Sequence, residues 1–257
     1  CSMTLSEKCY ELFRGFDAKH GTTKLLGTVS ERGKAESKSV TVDGPPSTVL
    51  WEQHLLGKQS LGVIPLMRDN TLLFAALDVD KYNGSVSHEE VYERVQKLGI
   101  PLFVFASKSG GLHLYMFLDQ PVRASVVHKR LSEFAAMLGF GGCEIFPKQL
   151  ERAREEDDGS WINMPYFGDT RKCFHGRWLS AEEFIETVEN NKTTQQQLTH
   201  FKCRDGEVYP DGPPCLNILA VSGIPEGNRN NAMYNYAIYA KIKYGDGFKD
   251  KVVEINQ

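Results

Sequence analysis

The sequence predicts an α+β fold, because segments typical of strands alternate with amphipathic helices along most of its 257 residues. Residues 61–80 hold two apolar runs separated by Arg68-Asp69-Asn70, which predicts two strands joined in a hairpin. Residues 100–119 hold two runs rich in aromatic and apolar side chains that meet at Gly110-Gly111. This second pattern predicts adjacent strands with a tight turn between them.

Helices are predicted where apolar residues recur every three or four positions and a capping residue stands at the start. Ser87 precedes an acidic first turn and Gly99 ends that stretch, and Ser180 begins a later helix. Further helices are predicted over residues 5–19, 47–57 and 125–138. A last helix has apolar residues at Ala232, Tyr236, Tyr239 and Ala240, stops near Gly245, and is followed by more helix.

Segments rich in glycine, proline or polar residues predict loops and linkers. Residues 27–46 predict a loop or a short edge strand, and the charged residues 150–160 predict a mobile loop. The polar residues 192–200 predict a linker, and a proline-rich turn at 210–214 opens the last segment. Residues 223–231 predict a helix start, because they lack the Gly-Lys-Ser or Gly-Lys-Thr ending of a phosphate-binding loop.

A short strand is also predicted within residues 143–149. The order of strand, helix, strand pair, helix and strand then resembles an RRM-like palm. The expected organisation is one large domain followed by a small helical one.

Composition and charge narrow the class of protein. The chain is 41% hydrophobic and 25% charged, which is ordinary for a globular domain. No apolar run approaches the roughly 20 residues of a membrane helix and no signal peptide is evident, so we expect a cytoplasmic protein, or one of the host cytoplasm if the source is viral. The net charge of -3 implies that any nucleic-acid contact is local.

Six cysteines without a Cys-x-x-Cys pair predict free thiols. A zinc site is an alternative whose spacing fits no common zinc module. Its ligands would be Cys173, His175, His200 and Cys203. At the chain ends, Cys1-Ser2 predicts the remnant of a cleaved tag, and the break at Gln257 in mid-pattern predicts a longer parent protein.

The pair Asp78 and Asp80 is the first candidate for chemistry. Strand side chains alternate, so both carboxylates would face the same side at the end of a buried strand. Their mutual repulsion favours a divalent cation with oxygen ligands, either Mg²⁺ or Mn²⁺. An isolated Asp-x-Asp pair is more often a pair of ordinary polar residues at a strand exit, so this motif alone is weak evidence for a metal site.

Two further segments add candidates. In SKSGGLHLYMF, Ser109 and the glycines would let a ligand approach the backbone, and His113 could hold a phosphate or be a core histidine. In CEIFPKQ, Glu144 could complete a metal set, and Lys148 could offset triphosphate charge.

The segments LDVDKY, SKSGGLHLYMF, EIFPKQ and WINMPYFG follow one another along the chain, and together they resemble the motifs of the archaeo-eukaryotic primase superfamily. The likeness covers residues 50–250 and is nearest to primase-polymerases of phages and mobile conflict systems. In that family the first motif is a metal-binding Asp pair, the second is often Ser-x-His, and the third is acidic. Here three residues, instead of one, separate Ser109 from His113.

The resemblance implies a fold, an activity and a set of residues. The fold would be a catalytic domain with an RRM-like palm at residues 3–200 and a small helical domain at residues 213–257. The activity would be template-dependent joining of ribo- or deoxyribonucleoside triphosphates on single-stranded DNA, as a primase or polymerase with two Mg²⁺ or Mn²⁺ ions, in phage or mobile-element replication. A primer and a helicase domain in the full-length protein are further implied partners.

The residue roles that follow from the resemblance fall into three groups. The catalytic, metal-binding residues would be Asp78, Asp80 and Glu144. The nucleotide-binding residues would be Lys108, Ser109, His113, Lys148, Gln149 and Asn163. Template DNA would lie against Arg152, Arg154, Arg171 and Lys172.

Two rival functions stay open at this point. A carboxylate pair with a histidine could also belong to a metal-dependent nuclease or relaxase. A non-catalytic nucleic-acid-binding module could instead stack bases on Tyr115 and Phe117 of an RRM-like sheet.

Overall fold

A computed structural model describes residues 2–33, 35–80, 87–155, 157–202, 216 and 229–255. The described helices are α1 (Leu5–Leu12), α2 (Thr48–Leu55), α3 (His88–Leu98), α4 (Ala124–Met137), α5 (Ala181–Glu189), α6 (Gln195–Thr199), α7 (Arg229–Tyr244) and α8 (Phe248–Ile255). The described strands are β1 (Lys19–Val29), β2 (Ala35–Asp43), β3 (Gly62–Val63), β4 (Thr71–Val79), β5 (Phe103–Ala106), β6 (Leu112–Arg123), β7 (Glu144–Phe146), β8 (Ile162–Asn163) and β9 (Cys173–Phe174). None of the helices described is both long and apolar enough for a membrane span.

The larger sheet has five strands in the order β7-β4-β6-β5-β9, and every neighbouring pair is antiparallel. In chain order its first four strands and two helices run β4-α3-β5-β6-α4-β7, the βαββαβ arrangement. The α+β fold with an RRM-like palm is therefore confirmed.

The capping signals predicted for two of the helices are also confirmed. The Ser87 side chain accepts from the Glu90 N–H at the start of α3, and Gly99 ends that helix with a left-handed φ of 71°. Ser180 and Glu183 form a capping box at α5. Gly110, with φ of 84°, lies in the tight turn between β5 and β6.

The smaller sheet, of order β2-β1-β3-β8, corrects two predictions. Residues 27–46 are not mainly loop, because β2 pairs along the length of β1 from Lys19↔Asp43 to Val29↔Ala35. Residues 61–80 do contain the predicted turn, where the Met67 N–H donates to Thr71 O, but not a hairpin. The strands on either side of that turn enter different sheets, which the local pattern does not reveal.

Two boundaries near the ends of the palm also differ. The first helix begins at a capping box of Thr4 and Glu7 and ends at Leu12, well before Lys19. Gly15 then lets the chain pass Ile64, since a Cβ on Gly15 would lie 2.2 Å from the Ile64 carbonyl oxygen. Within the expected linker 192–200, a Thr194 cap starts the short helix α6.

Both faces of the five-stranded sheet are covered. One face packs on α3 and α4, and the other forms an aromatic core with α1, α2, α5 and the smaller sheet. At the centre of that core, Phe13 lies 5.4 Å from Trp51 and 5.6 Å from Tyr115 between ring centroids. Tyr115 is 0% exposed and Phe117 is 1% exposed, so neither can stack on a base, which corrects the proposed role of this pair in a binding module.

The C-terminal helices have a small apolar cluster of their own. Tyr236, Tyr239 and Ala240 of α7 pack with Leu216 and with the partly buried Phe248 of α8. The prediction of a helix ending near Gly245 and followed by more helix is confirmed. The turn at 210–214 and Asn228 lie outside the described residues, and the boundaries of the two domains stay predictions.

His54 joins α2 to the smaller sheet from inside the core. It is 0% exposed, its Nδ1 accepts from the Leu61 N–H at 2.9 Å, and its Nε2 faces the Pro165 carbonyl at 2.8 Å. An acceptor at Nδ1 and a donor at Nε2 define a neutral ring. Burial lowers the pKa of His54 to about 4.

We therefore expect the free energy of unfolding to fall as the pH drops from 6.5 towards 4. Unfolded His54 takes up a proton near pH 6.5, whereas the folded state resists it until about pH 4, so protons favour unfolding within this window by up to about 3 kcal/mol. Urea unfolding across this range should show a shallower pH slope for His54→Gln than for the unchanged protein. His200→Gln, at an exposed position, is the control. Equal slopes for all three proteins would contradict the assignment.

Candidate active site

The site candidate is a row of three side chains across neighbouring strands. Asp78 on β4 is the register partner of His113 on β6 and also of Glu144 on β7. Direct partners on antiparallel strands point to the same face with Cβ atoms about 5 Å apart. The predicted carboxylate, histidine and second carboxylate are thus brought together at one end of the sheet.

Asp78 and His113 are in direct contact. His113 Nε2 lies 3.2 Å from Asp78 Oδ1, and the two side chains are 9% and 24% exposed. Beneath them the Tyr115 ring meets the His113 ring edge-to-face at 6.0 Å. Burial, with a smaller contribution from the Asp78 charge, raises the pKa of Tyr115 well above its usual value, so its hydroxyl stays protonated and donates to Asn163 O at 3.1 Å.

Glu144 is more exposed and already has a cation. Lys148 Nζ lies 2.9 Å from Glu144 Oε1, and about half of each side chain is exposed. Lys148 Nζ also lies 5.2 Å from the centroid of the Phe146 ring. An exposed pair of this kind contributes little to stability, so Lys148 can leave Glu144 for a ligand at small cost.

Asp80 is exposed just beyond the last residue of β4. In the part of the chain that the structure describes, no three His, Cys, Asp or Glu side chains are gathered as a metal-binding group. The donor types still fit a hard divalent cation, since Asp78, Asp80 and Glu144 offer only oxygen and share one end of the sheet. Glu144 would have to release Lys148 to join such a set.

The turn between β5 and β6 lies at the same end of the sheet. The Ser107 N–H donates to Gly111 O at 3.1 Å, and Ser107 and Ser109 hydroxyls lie 3.2 Å apart. Lys108 and Ser109 are exposed on this turn. Burial lowers the pKa of His88, at the first turn of α3, and the neighbouring Gly111 backbone opposes part of that shift.

Gln149 and Asn163 lie deeper than the other nucleotide-binding candidates. Both are half-buried, and the Asn163 Oδ1 atom is buried with no hydrogen-bond partner among the described residues. The Gln149 side chain lies beside Gly159, whose positive φ of 78° and missing Cβ leave room there. Their contact with a nucleotide stays a prediction.

Comparison with known proteins decides the family. A family model described as "TOTE conflict system, Archaeo-Eukaryotic Primase domain" matches residues 34–201, a range that contains every catalytic, nucleotide-binding and DNA-binding candidate named above. The chain belongs to this family of archaeo-eukaryotic primase domains. The superfamily is one of primase- and polymerase-type nucleotidyltransferases, and the predicted resemblance is confirmed.

A search of solved structures finds a similar chain, the "Polymerase Domain from Mycobacterium tuberculosis Ligase D in complex with DNA". That chain is 15% identical, and the match covers 76% of the present chain and 89% of the other at a TM-score of 0.31. No curated protein matches. The family model refers to conflict systems, so a part in phage replication stays a prediction.

In this primase domain, two of the four basic side chains predicted to contact template DNA are bonded to other parts of the protein. Arg152 Nη2 donates to Leu66 O at 2.6 Å, Nη1 donates to Asp157 O, and the guanidinium lies 3.6 Å from the centroid of the Phe16 ring. Arg171 is 8% exposed and donates to Met164 O at 3.2 Å. These contacts hold loops to the core, and a role of either residue in DNA binding stays a prediction.

The other two cations face solvent. Arg154 is exposed, and its backbone is held by Asp157, whose Oδ2 accepts from the Arg154 N–H at 3.0 Å and whose N–H donates to the Arg154 carbonyl at 3.1 Å. Lys172 forms an ion pair with Asp169 at 2.6 Å, but the Asp169 side chain is 93% exposed. Screening by water weakens such a pair, so a phosphate can replace Asp169.

The three described candidates for the alternative zinc site do not come together. Cys173, His175 and His200 do not form a metal-binding group, and Cys203 lies outside the described residues. Cys173 is 0% exposed, and burial raises the pKa of its thiol far above the usual value, which disfavours the thiolate that zinc needs. The His175 ring packs against the rings of Tyr92 and Phe103.

Trp178 is a surface feature of the primase domain that sequence reasoning missed. Its side chain is 46% exposed, although it packs edge-on against His88 at 5.1 Å and Phe174 at 5.2 Å. Through His88 it adjoins Gly111, two residues before His113. A lone tryptophan before a helix cap gives no local signal, because only the pairing of β9 with β5 brings it to this end of the sheet.

Arg152 and Arg154 provide a matched pair that separates a structural cation from a surface one. We expect Arg152→Met to lower the free energy of unfolding by about 2 kcal/mol, because it removes charged donors from two carbonyl groups. Arg154→Met should change it by less than about 0.5 kcal/mol. Urea unfolding measures both, and equal stability of the two variants would show that the internal contacts of Arg152 are unimportant.

Proposed function

We propose that this primase domain is a template-dependent nucleotidyltransferase that joins nucleoside triphosphates on single-stranded DNA, as a primase, a polymerase or both. The observation that carries the proposal is the row of His113, Asp78 and Glu144 across three adjacent strands. The row brings two carboxylates and a histidine together at one end of the sheet, which supports the binding of cations and of a phosphate there.

Asp78, Asp80 and Glu144 are the residues that we propose hold Mg²⁺ or Mn²⁺. When bound, two such ions supply charge neutralisation at the phosphates and make a hydroxyl a better nucleophile. The protein's own part is to keep three carboxylates at the end of a rigid, fully covered sheet. Asp78 is fixed most firmly, since it is the middle member of the row and touches His113.

His113 and Lys148 are proposed to bind the phosphates of the incoming nucleotide. His113 is nearly buried and held by Asp78, so it presents one fixed imidazole edge. Lys148 is a mobile point charge that leaves Glu144 for the triphosphate. Ser109 and Lys108 lie on the exposed turn beside them, where the exposed Gly110 leaves the backbone accessible.

The template is proposed to pass the end of the sheet beside β9. Lys172 supplies a cation next to the β5–β6 turn, because the Ala106 N–H donates to the Lys172 carbonyl. Trp178 supplies an exposed ring that can stack on an unpaired base, a contact worth about 1–3 kcal/mol. A primer strand, a helicase domain in the parent protein and a cytoplasmic location also belong to this proposal.

The central expectation is loss of nucleotide incorporation in Asp78→Ala with Asp80→Ala. Without these carboxylates the cations and the triphosphate lose their position, and the rate should fall about a thousandfold or more. The assay follows labelled nucleotide on single-stranded DNA, with and without an annealed primer, in Mg²⁺ or Mn²⁺. Product formed without primer would identify a primase.

The matched control for this experiment is Asp119→Ala with Asp250→Ala, which removes two exposed carboxylates from other parts of the protein. It should incorporate nucleotide at the normal rate, and thermal unfolding should show that both double variants fold. Full activity of the Asp78/Asp80 variant would contradict the proposed mechanism. DNA cleavage without any added nucleotide would favour a nuclease.

A further inference from the structure

Strands β1 and β2 form a two-stranded ribbon that extends beyond the body of the domain. His20, Gly21 and Thr22 are buried, whereas nearly every described residue from Leu25 to Lys38 is exposed. Both faces of this outer part are exposed, which distinguishes it from a strand lying on a core. At about 3.3 Å per residue, the outer ribbon extends about 20 Å.

The base of the ribbon is firmly anchored. The Trp161 ring lies over Gly21 and Gly62, where any Cβ would meet its atoms at about 2 Å, and its Nε1 donates to Thr41 Oγ1 at 3.3 Å. The Thr22 hydroxyl donates to Ser60 O at 2.7 Å. The outer ribbon is therefore an arm with a fixed direction.

Like charges face each other on this arm. Lys24 and Lys38 are direct register partners, and cross-strand pairs of like charge destabilise a ribbon. Among the residues that the structure describes, neither lysine forms an ion pair, and both are exposed. Arg32 adds a third exposed cation at the turn. A polyanion placed between the lysines would turn their repulsion into attraction.

The arm also lacks apolar cover. Leu25, Leu26 and Val29 are 77%, 52% and 66% exposed. A two-stranded ribbon without a packed face is marginally stable in water, so this one gains from a bound partner. The apolar side chains lie next to the opposed lysines, as they would on a surface that meets both sugars and phosphates.

We propose that residues 24–38 form an arm that binds duplex nucleic acid, with Lys24 and Lys38 against the phosphates that border one groove. A two-stranded ribbon matches the width of the major groove, about 12 Å. The chain carries a net charge of -3, so a duplex needs a local cationic contact. The described arm residues carry three exposed cations against the two exposed carboxylates Glu31 and Glu36, and the opposed lysines lie away from the turn. This role of the arm rests on the proposed function, because a nucleotidyltransferase that extends a strand on a template produces a template-primer duplex.

The base of the arm is also held by an ion pair to another loop of the domain. Lys19, at the start of β1, forms an ion pair with Asp158 in the loop that follows Lys148 and Gln149. That loop is itself fixed near Asn70, just before β4, because the Arg152 N–H donates to Asn70 Oδ1 at 2.9 Å. The ion pair therefore holds the base of the arm against the five-stranded sheet.

The test measures binding of a fluorescent 20-base-pair DNA duplex by anisotropy, without nucleotide, over a series of salt concentrations. Lys24→Ser with Lys38→Ser should raise Kd about tenfold or more at low salt and lower the slope of log Kd against log salt by about 2. Lys8→Ser with Lys58→Ser, an equal change of charge at exposed positions on the helical side, should leave both unchanged.

A second variant removes the arm but keeps its base. Asn-Gly replaces residues 26–36 and joins Leu25 to its register partner Ser37 in a two-residue hairpin turn. It should lose duplex binding to at least the same extent while tryptophan fluorescence and thermal unfolding remain normal. Unaltered duplex binding in either variant, or no duplex binding by the unchanged protein, would overturn the proposal.

The outcome is separable from that of the proposed function, because the binding assay contains no triphosphate. The Asp78/Asp80 variant should bind the duplex normally even though it incorporates nothing. A failure of incorporation in the unchanged protein, with arm-dependent duplex binding intact, would remove the proposed function and leave the arm. Sedimentation that shows a dimer lost with the arm would instead identify a second copy as the partner and overturn the proposal.

Discussion

The position of β4 between β6 and β7 is the constraint on which the rest of the structure depends. Antiparallel register on both sides places Asp78 opposite His113 and Glu144 at once. A shift of one residue on either side would turn the partner away to the other face of the sheet. The buried apolar residues of β4 prevent such a shift, because each face of the strand packs in a different core. The packing of the sheet therefore sets the geometry of the site.

Coverage of both sheet faces explains where chemistry and binding can occur. The central aromatic residues of the sheet are buried, so a nucleic acid has access only to strand ends, turns and projecting elements. The strand ends hold the carboxylate row, the β5–β6 turn and Trp178. The projecting element is the β1–β2 arm, whose base is held by Trp161. The covered five-stranded sheet thus positions the carboxylates and the histidine, and the turns and the arm carry the cations that would contact DNA.

Much of this could be predicted from the sequence, because palm elements are local in origin. The caps at Ser87 and Gly99, the turn at Gly110 and the spacing of Asp78 and Asp80 are short-range patterns with direct physical causes. The family could be predicted as well, since its motifs lie close to these elements. The prediction of the site residues as a set rests on that resemblance, and their roles remain to be measured.

What the sequence could not predict depends on partners distant along the chain. Residues 27–46 contain many small and charged residues, and nothing local indicates that two long strands would pair there and stay exposed. The internal contact of Arg152 with the carbonyl of Leu66, a residue far upstream, has no local sequence signal either, and its role in DNA binding stays a prediction. The role of Gly21 becomes evident only once Trp161 lies upon it. Such contacts are set by tertiary structure and leave no periodic signal.

Mn²⁺ binding, followed by electron paramagnetic resonance in the presence of a nucleoside triphosphate, tests the central claim most directly. If Asp78 is the centre of the row, the unchanged protein binds Mn²⁺, and Asp78→Asn weakens that binding by about tenfold or more while the fold is retained. Equal Mn²⁺ affinity in the two folded proteins would contradict the claim that this row of side chains is the active site.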